Sequence, residues 1–256
     1  MALTLTSRQS EILRLVREEG TMSVTTLAKA LSVSFETVRR DVKPLAKARE
    51  LVKQHGSVSM PYELGEAPFE RRLRENAEAK RAIARHAAKS VSDGDSLMLD
   101  NGATTSIFAR ELLKKRSLTV VTNSSDIART LATVNGNRVY MAGGELNGDN
   151  GGAFGPAAIA FAASFRVRHA MISIAALDQA FGPSDNHLAE AEFARMVISR
   201  GETRTILADS SKFGRTALIK VCEFADIDLL VCERPPPPPL AEALAAANVR
   251  CEVAGV

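Results

Sequence analysis

The sequence predicts an α/β protein in two parts, a small helical module followed by a larger domain built on a mostly parallel sheet. Three observations point there. From residue 95 onward, short apolar strands alternate with helical runs, the pattern of a parallel sheet covered on both faces. Before residue 60 that alternation is absent, and three short amphipathic helices and one alternating stretch take its place. Charge is also divided unevenly. The first 60 residues carry ten Lys/Arg against six Asp/Glu, while the remainder is close to neutral and the whole chain is +3.

At 256 residues and 45% hydrophobic, the chain can bury one large core and a small satellite. No apolar run approaches membrane-spanning length and the first twenty residues lack a signal-peptide layout, so a cytoplasmic protein is expected. Cys222, Cys232 and Cys251 are too few and too widely spaced for a disulfide framework. The four histidines, at 55, 86, 169 and 187, are equally scattered. Neither a metal nor a cofactor is expected.

The first helix is read over Ser7–Glu19, with Ile12, Leu13, Leu15 and Val16 on its apolar side and Gly20 as a stop. Ser23 suits the cap of a second helix carrying Val24, Leu27, Ala28 and Leu31. Ser32-Val33 make the turn, and Ser34 caps a third helix. There Phe35, Val38, Val42 and Leu45 form one stripe expected to be buried. Arg39, Lys43 and Lys47 recur every fourth residue on the other side, with Glu36, Thr37 and Arg40 beside them. Pro44 is expected to kink or fray this helix. LVKQHGSVSM then alternates as a hairpin does, with His55-Gly56 near its bend. Two helices, a turn, a basic third helix and a hairpin make a winged helix-turn-helix, whose third helix enters the major groove. Lys53 and His55 would meet phosphate or the minor groove. A helical bundle with a basic face for protein contact is the alternative arrangement, but stripe, caps, basic face and wing together favour DNA.

The module is expected over 1–60 and a linker over 61–79, with a charged helix from about Pro68 to Ser90 as spacer or dimer contact. The second domain, 80–256, should hold strands at Ser96–Leu99, Leu118–Val121, Arg138–Met141, Ala170–Ile174, Arg204–Ala208, Asp228–Cys232 and Arg250–Val253. Helices are read between them at Thr105–Lys114, Asp126–Val134 and Leu188–Ser199. Glu190 and Glu192 suit the first turn of the last of these. Pro235–Pro239 read as a rigid lead into a helix over Leu240–Ala247.

Ligands of such sheets bind beyond the carboxyl ends of the strands, and small polar residues gather there. The first strand runs into Asp100-Asn101-Gly102-Ala103-Thr104-Thr105, the second into Thr122-Asn123-Ser124-Ser125 and the third into Gly143-Gly144. Asp209-Ser210-Ser211-Lys212-Phe213-Gly214 adds a lysine in a polar loop. Backbone N–H groups, hydroxyls and helix N-termini suit a phosphate-bearing small molecule. Asp100 suits two roles equally, a helix cap or an acceptor for ligand hydroxyls. G-x-G-x-x-G and Walker patterns are both missing from the sequence, which disfavours dinucleotides and nucleoside triphosphates.

With these residues in view, the chain resembles the DeoR family of transcriptional regulators along nearly its whole length. The resemblance is carried by SRQSEIL, SVSFETVRRD and the HG wing, and by K-x-x-I-A at Lys80–Ala84. DGDSLMLDNGATT, LTVVTNS, AGGEL, AFGPAA, LAEAEFARMVI and LADSSKFGR complete it. Two of these segments lean towards the glycerol-3-phosphate regulon repressor branch. The resemblance implies a sensor domain similar to ribose-5-phosphate isomerase and glucosamine-6-phosphate deaminase, responding to phosphorylated sugars or related metabolites. It implies DNA contacts from Ser34, Thr37, Arg39, Arg40, Lys43 and His55, to which the wing reading adds Lys53. Effector contacts are implied for Lys80, Asp100, Gly102, Thr104, Thr105, Thr122, Asn123, Ser124, Gly143, Gly144 and Lys212. Ala103 departs from the family's Ser or Thr, and QAFGPSDN replaces its glycine-rich turn.

The function expected is a repressor of a carbohydrate or polyol operon that binds a palindromic operator as a homodimer or homotetramer. The alternative is a sugar-phosphate isomerase or deaminase with an accessory DNA module, for which Asp100 and Asp178 are the candidate bases.

Overall fold

The computed structural model describes residues 5–19, 21–48, 50–54, 56–59 and 67–255. The chain divides into two compact units, Met1–Arg71 and Arg72–Val256.

The first unit runs α1 (Ser7–Glu19), β1 (Thr21–Ser23), α2 (Val24–Ala30), α3 (Phe35–Lys47), β2 (Val52–Gln54) and β3 (Ser57–Ser59). The Ser23 hydroxyl accepts from the Thr26 N–H at 2.9 Å and that of Ser34 from the Thr37 N–H at 3.2 Å, so both helices start where their caps predict. Ile12, Val16, Leu27, Val38, Val42, Leu45, Leu51 and Val58 close into one core. The hairpin β2–β3 is joined by β1, which pairs antiparallel with β3. At three residues, β1 is too short to have been visible as a period. Two expectations fail here. Phe35 does not join the buried stripe but is 46% exposed, because the first residue after a cap precedes the face that packs on α1 and α2. Pro44 does not fray α3, which continues to Lys47, with the Ala48 N–H reaching the Pro44 carbonyl at 2.9 Å. Val42 and Leu45, buried on either side of the proline, hold the helix through it.

The helix expected as one run from Pro68 to Ser90 is broken. It forms α4 (Phe69–Arg74) and α5 (Ala77–Ala87), with a 3-10 turn at Ala88–Ser90. Asn76 sits between them at φ 51°, a left-handed conformation no helix continues through.

The second unit continues with β4 (Ser96–Leu99), α6 (Ala103–Glu111), β5 (Thr119–Thr122), α7 (Ser125–Leu131), β6 (Arg138–Met141), α8 (Pro156–Ala163), β7 (Val167–Ile172), β8 (Ala176–Asp178) and β9 (Gly182–Asp185). It ends with α9 (Leu188–Ser199), β10 (Gly201–Leu207), β11 (Ile219–Lys220), β12 (Leu229–Cys232), α10 (Pro238–Ala246) and β13 (Arg250–Val253). Seven strands form a parallel sheet in the order β13-β12-β10-β7-β4-β5-β6. Strand alternation sends Met98 and Val121 to one apolar layer with Phe193, Val197 and Leu240. Leu97, Leu99 and Val120 go to the other layer with Ile83, Phe108 and Ile127. A small antiparallel sheet, β11-β9-β8, lies apart. The chain builds β4-β5-β6 in one direction, then returns to β7 on the other side of β4 and proceeds the opposite way. The β4/β7 border is therefore the switch point where open α/β sheets bind ligands.

Candidate DNA interface and effector rim

In the first unit, Thr37, Arg39, Arg40 and Lys43 of α3 and Lys53 of β2 line one groove of about 600 Å³. Their convergence follows from helical spacing together with the hairpin that returns beside α3. Arg39 is positioned twice, with its guanidinium 5.6 Å from the Phe35 ring centroid and its Nη1 3.8 Å from Glu36 Oε2. Ser34 is engaged as the cap, its hydroxyl 2.8 Å from that of Thr37. His55 lies outside the described residues. Asp41, on the opposite side of α3, is buried and accepts from Arg8 Nη2 at 3.2 Å.

In the second unit, the neighbouring strands β10, β7, β4 and β5 are followed within two residues by Asp209, Ser173, Asp100 and Asn123. The Asp100 carboxylate faces β7: its Oδ2 accepts from the Ser173 N–H at 3.0 Å and lies 3.4 Å from the Ser173 hydroxyl. The cap of α6 is Gly102 instead, whose N–H goes to Thr105 Oγ1 at 3.1 Å while that hydroxyl donates back to the loop carbonyls. Thr105 thus holds the loop. Gly102 is required by crowding, since a Cβ there would stand 1.8 Å from Ser173 Oγ. Burial pushes the Asp100 carboxyl up to about 7, with the nearby charge of Glu190 adding to the effect and the hydrogen bonds from Ser173 opposing it.

Thr122, Asn123 and Ser124 are fully buried. Thr122 Oγ1 accepts from the Ser124 N–H at 3.1 Å, Ser124 Oγ accepts from the Ile127 N–H at 3.4 Å, and Asn123 Nδ2 donates to the Ala153 carbonyl at 2.9 Å. Segment 146–153 folds back here, bridging Ser124 to Gly152 and Leu146 to Ala153. Its Gly152 lies so near Asn101 that a Cβ would be 2.4 Å from Asn101 Nδ2. Thr104 is buried in the first turn of α6. Gly143 and Gly144 are exposed in the loop after edge strand β6, and Gly144 takes φ 141°, which a side chain would strain.

Lys80 is buried, and its ammonium donates to the carbonyls of Arg72 and Glu75 (2.7 Å to the latter), closing the turn between α4 and α5. Burial lowers its pKa, the Asp209 charge opposes that shift and Lys212 reinforces it, so these groups share one neighbourhood. Asn76 Nδ2 donates to Asp209 Oδ1 at 3.1 Å. Ser210 is held through its N–H by Glu233 Oε2 at 2.9 Å. Beside them opens a cleft of about 460 Å³ lined by Asn76, Glu78, Ser210, Ser211, Glu233 and Arg234.

Sequence reading missed several residues of this rim. Asn101 is buried with neither its Oδ1 nor its Nδ2 hydrogen-bonded, and Asp100 Oδ1, Ser106 Oγ, Asn123 Oδ1 and Asp209 Oδ2 share that condition. Ser173 and Glu190 join across the fold, the latter accepting from Asn150 Nδ2 at 2.8 Å. Asp178 accepts from the N–H groups of Ala180 and Phe181 at 2.9 and 2.8 Å and so closes its own turn.

Both units match known family domains. Residues 8–63 match the DeoR-like helix-turn-helix domain and residues 75–234 the DeoR C terminal sensor domain. The glycerol-3-phosphate regulon repressor of Escherichia coli (strain K12) is 30% identical over 253 residues, covering 97% of this chain and 98% of its own. That of Haemophilus influenzae is 32% identical over 223 residues, 87% of each chain. Ribose 5-phosphate isomerase A from Methanocaldococcus jannaschii aligns at 16% identity over 54% of each chain with a TM-score of 0.39. Among the described residues no helix is long and apolar enough to cross a membrane. The chain belongs to the DeoR family, as a DNA-binding transcriptional repressor whose helix-turn-helix domain is followed by a sensor domain.

Proposed function

We propose that this repressor controls a carbohydrate or polyol catabolic operon in the cytoplasm and that a phosphorylated sugar or polyol bound at the rim shifts its affinity for operator DNA. The observation that carries the reading is the set of buried polar atoms without protein partners on neighbouring strand ends, Asp100 Oδ1, Asn101 Oδ1 and Nδ2, and Asn123 Oδ1. Buried polar groups are costly unless hydrogen-bonded, and a mixed set of acceptors and one amide donor suits ligand hydroxyls. The first turn of α6, Ala103 to Thr105, offers backbone N–H groups and the positive end of a helix dipole to a phosphate, with Lys212 supplying counter-charge. The names of the relatives above support a small polyol phosphate.

On the DNA side, Arg40, Lys43 and Lys53 neutralise phosphate, while Thr37 and Arg39 reach base edges from α3. A homodimer or homotetramer matches a two-fold operator. We read 1–60 as the DNA module, 61–79 as linker and 80–256 as sensor. The bonds from Lys80 to Arg72 and Glu75 draw the last part of that linker into the second unit. The test is anisotropy binding to the gene's own upstream DNA with a panel of three- to six-carbon phosphates. One compound should move the midpoint about 5- to 150-fold.

A further inference from the structure

We propose that Phe35 reads the 5-methyl group of a thymine in each operator half-site and holds Arg39 for a guanine within about two base pairs of it. The proposal builds on the reading that α3 lies in the major groove. Phe35 is the first residue after the Ser34 cap, the end of a recognition helix that meets base edges. Phe35 is 46% exposed although the other members of its stripe, Val38, Val42 and Leu45, are buried. Charged side chains also lie beside it. Arg39 lies across the ring at 5.6 Å, and Arg40, Lys43 and Lys53 line the adjacent groove.

That combination selects its partner. An apolar protein surface would have to bury the cations, whereas DNA offers phosphates to them and one apolar group to the ring. The C5-methyl of thymine is the apolar feature displayed in the major groove, and Phe is among the side chains that contact it. Arginine pairs bidentately with guanine O6 and N7. Base pairs stack at about 3.4 Å, so a ring and a guanidinium 5.6 Å apart address positions within about two steps of each other. Glu36, 3.8 Å from Arg39 Nη1, gives the guanidinium a second neighbour.

The experiment uses the full-length chain and the operator it selects from random duplex DNA. Each thymine in a half-site is replaced singly by deoxyuridine, which removes the methyl group alone. The proposal predicts one position per half-site where deoxyuridine weakens binding about fourfold, the worth of one buried methyl. Phe35→Ala should bind the thymine and deoxyuridine operators alike, and Phe35→Leu should retain part of the preference. Phe35 is exposed, so the variants should melt with the parent chain. A selected operator in which no thymine is methyl-sensitive overturns the proposal, as does an undiminished preference in Phe35→Ala. Failure to select any sequence would contradict the placement of α3 in the groove as well.

Discussion

Gly102 and Ser173, on loops that leave adjacent strands, touch so closely that a Cβ on the glycine would stand 1.8 Å from the serine hydroxyl and 3.1 Å from the serine Cβ. The contact packs the β4 and β7 ends together at the switch point. Gly102→Ala should therefore cost about 1–3 kcal/mol by overpacking and abolish the response to effector. Ser173→Ala in the same chain should restore much of the stability, since it removes the nearer atom. Denaturant melts of both single variants and the double variant measure this coupling.

Asp100 gives a pH signature. Its folded-state pKa, about 7, lies above the ordinary carboxylate value, so the folded chain favours the protonated form. Its stabilising share is complete below the unfolded pKa and is lost as pH rises through 7. Asp100→Asn mimics the protonated acid. It should be more stable than the parent at pH 8.5, on the order of a few kcal/mol, and nearly equal to it once the pH falls below the unfolded carboxylate pKa. Urea midpoints in the two pH ranges check the sign.

Lys80 holds the carbonyls of Arg72 and Glu75 across the α4–α5 turn. Lys80→Ala leaves them without that donor and should destabilise the second unit by about 1–3 kcal/mol. The salt dependence of DNA binding should not change, because the residue lies outside the α3 groove. Calorimetry together with a salt titration separates the two effects.

Arg40 and Lys43 are exposed on α3. If each neutralises one phosphate, Arg40→Ala and Lys43→Ala should each reduce the slope of log affinity against log salt by about 0.9. Sequence preference should be preserved. Binding at several salt concentrations to operator and scrambled DNA checks it.

Much of this was legible in the sequence because it rests on local periodicity. Ser23 and Ser34 cap the helices they announce, and β4, β6 and β13 occupy the residues their apolar runs mark out. What escaped depends on long-range packing. Phe35 fits the 3-4-3 spacing as well as Val38 does, and only the approach of α1 and α2 distinguishes them. Gly182–Asp185 forms a buried strand with no alternating pattern, and α8 is small and apolar all round without the polar face that marks a helix. In the rim, Asp100, Asn123 and Gly102 stood out as polar and glycine residues at strand ends. Asn101 stood in the same loop without a role, and Ser173 and Glu190 joined the rim only through the folding of β7 and α9 beside β4. Asp100 and Thr105, by contrast, depart from the local reading: the threonine holds the loop, and the aspartate turns to the neighbouring strand.

In the function proposed above, a phosphorylated sugar or polyol at the rim sets DNA affinity. The most direct measurement is anisotropy titration of operator DNA with the full chain and with Asp100→Ala, each with and without glycerol 3-phosphate and the longer phosphates. One phosphate should shift the parent chain about 5-fold or more, and Asp100→Ala should bind DNA normally without responding. Tight DNA binding that no phosphate shifts, or a response that survives in Asp100→Ala, would contradict that function.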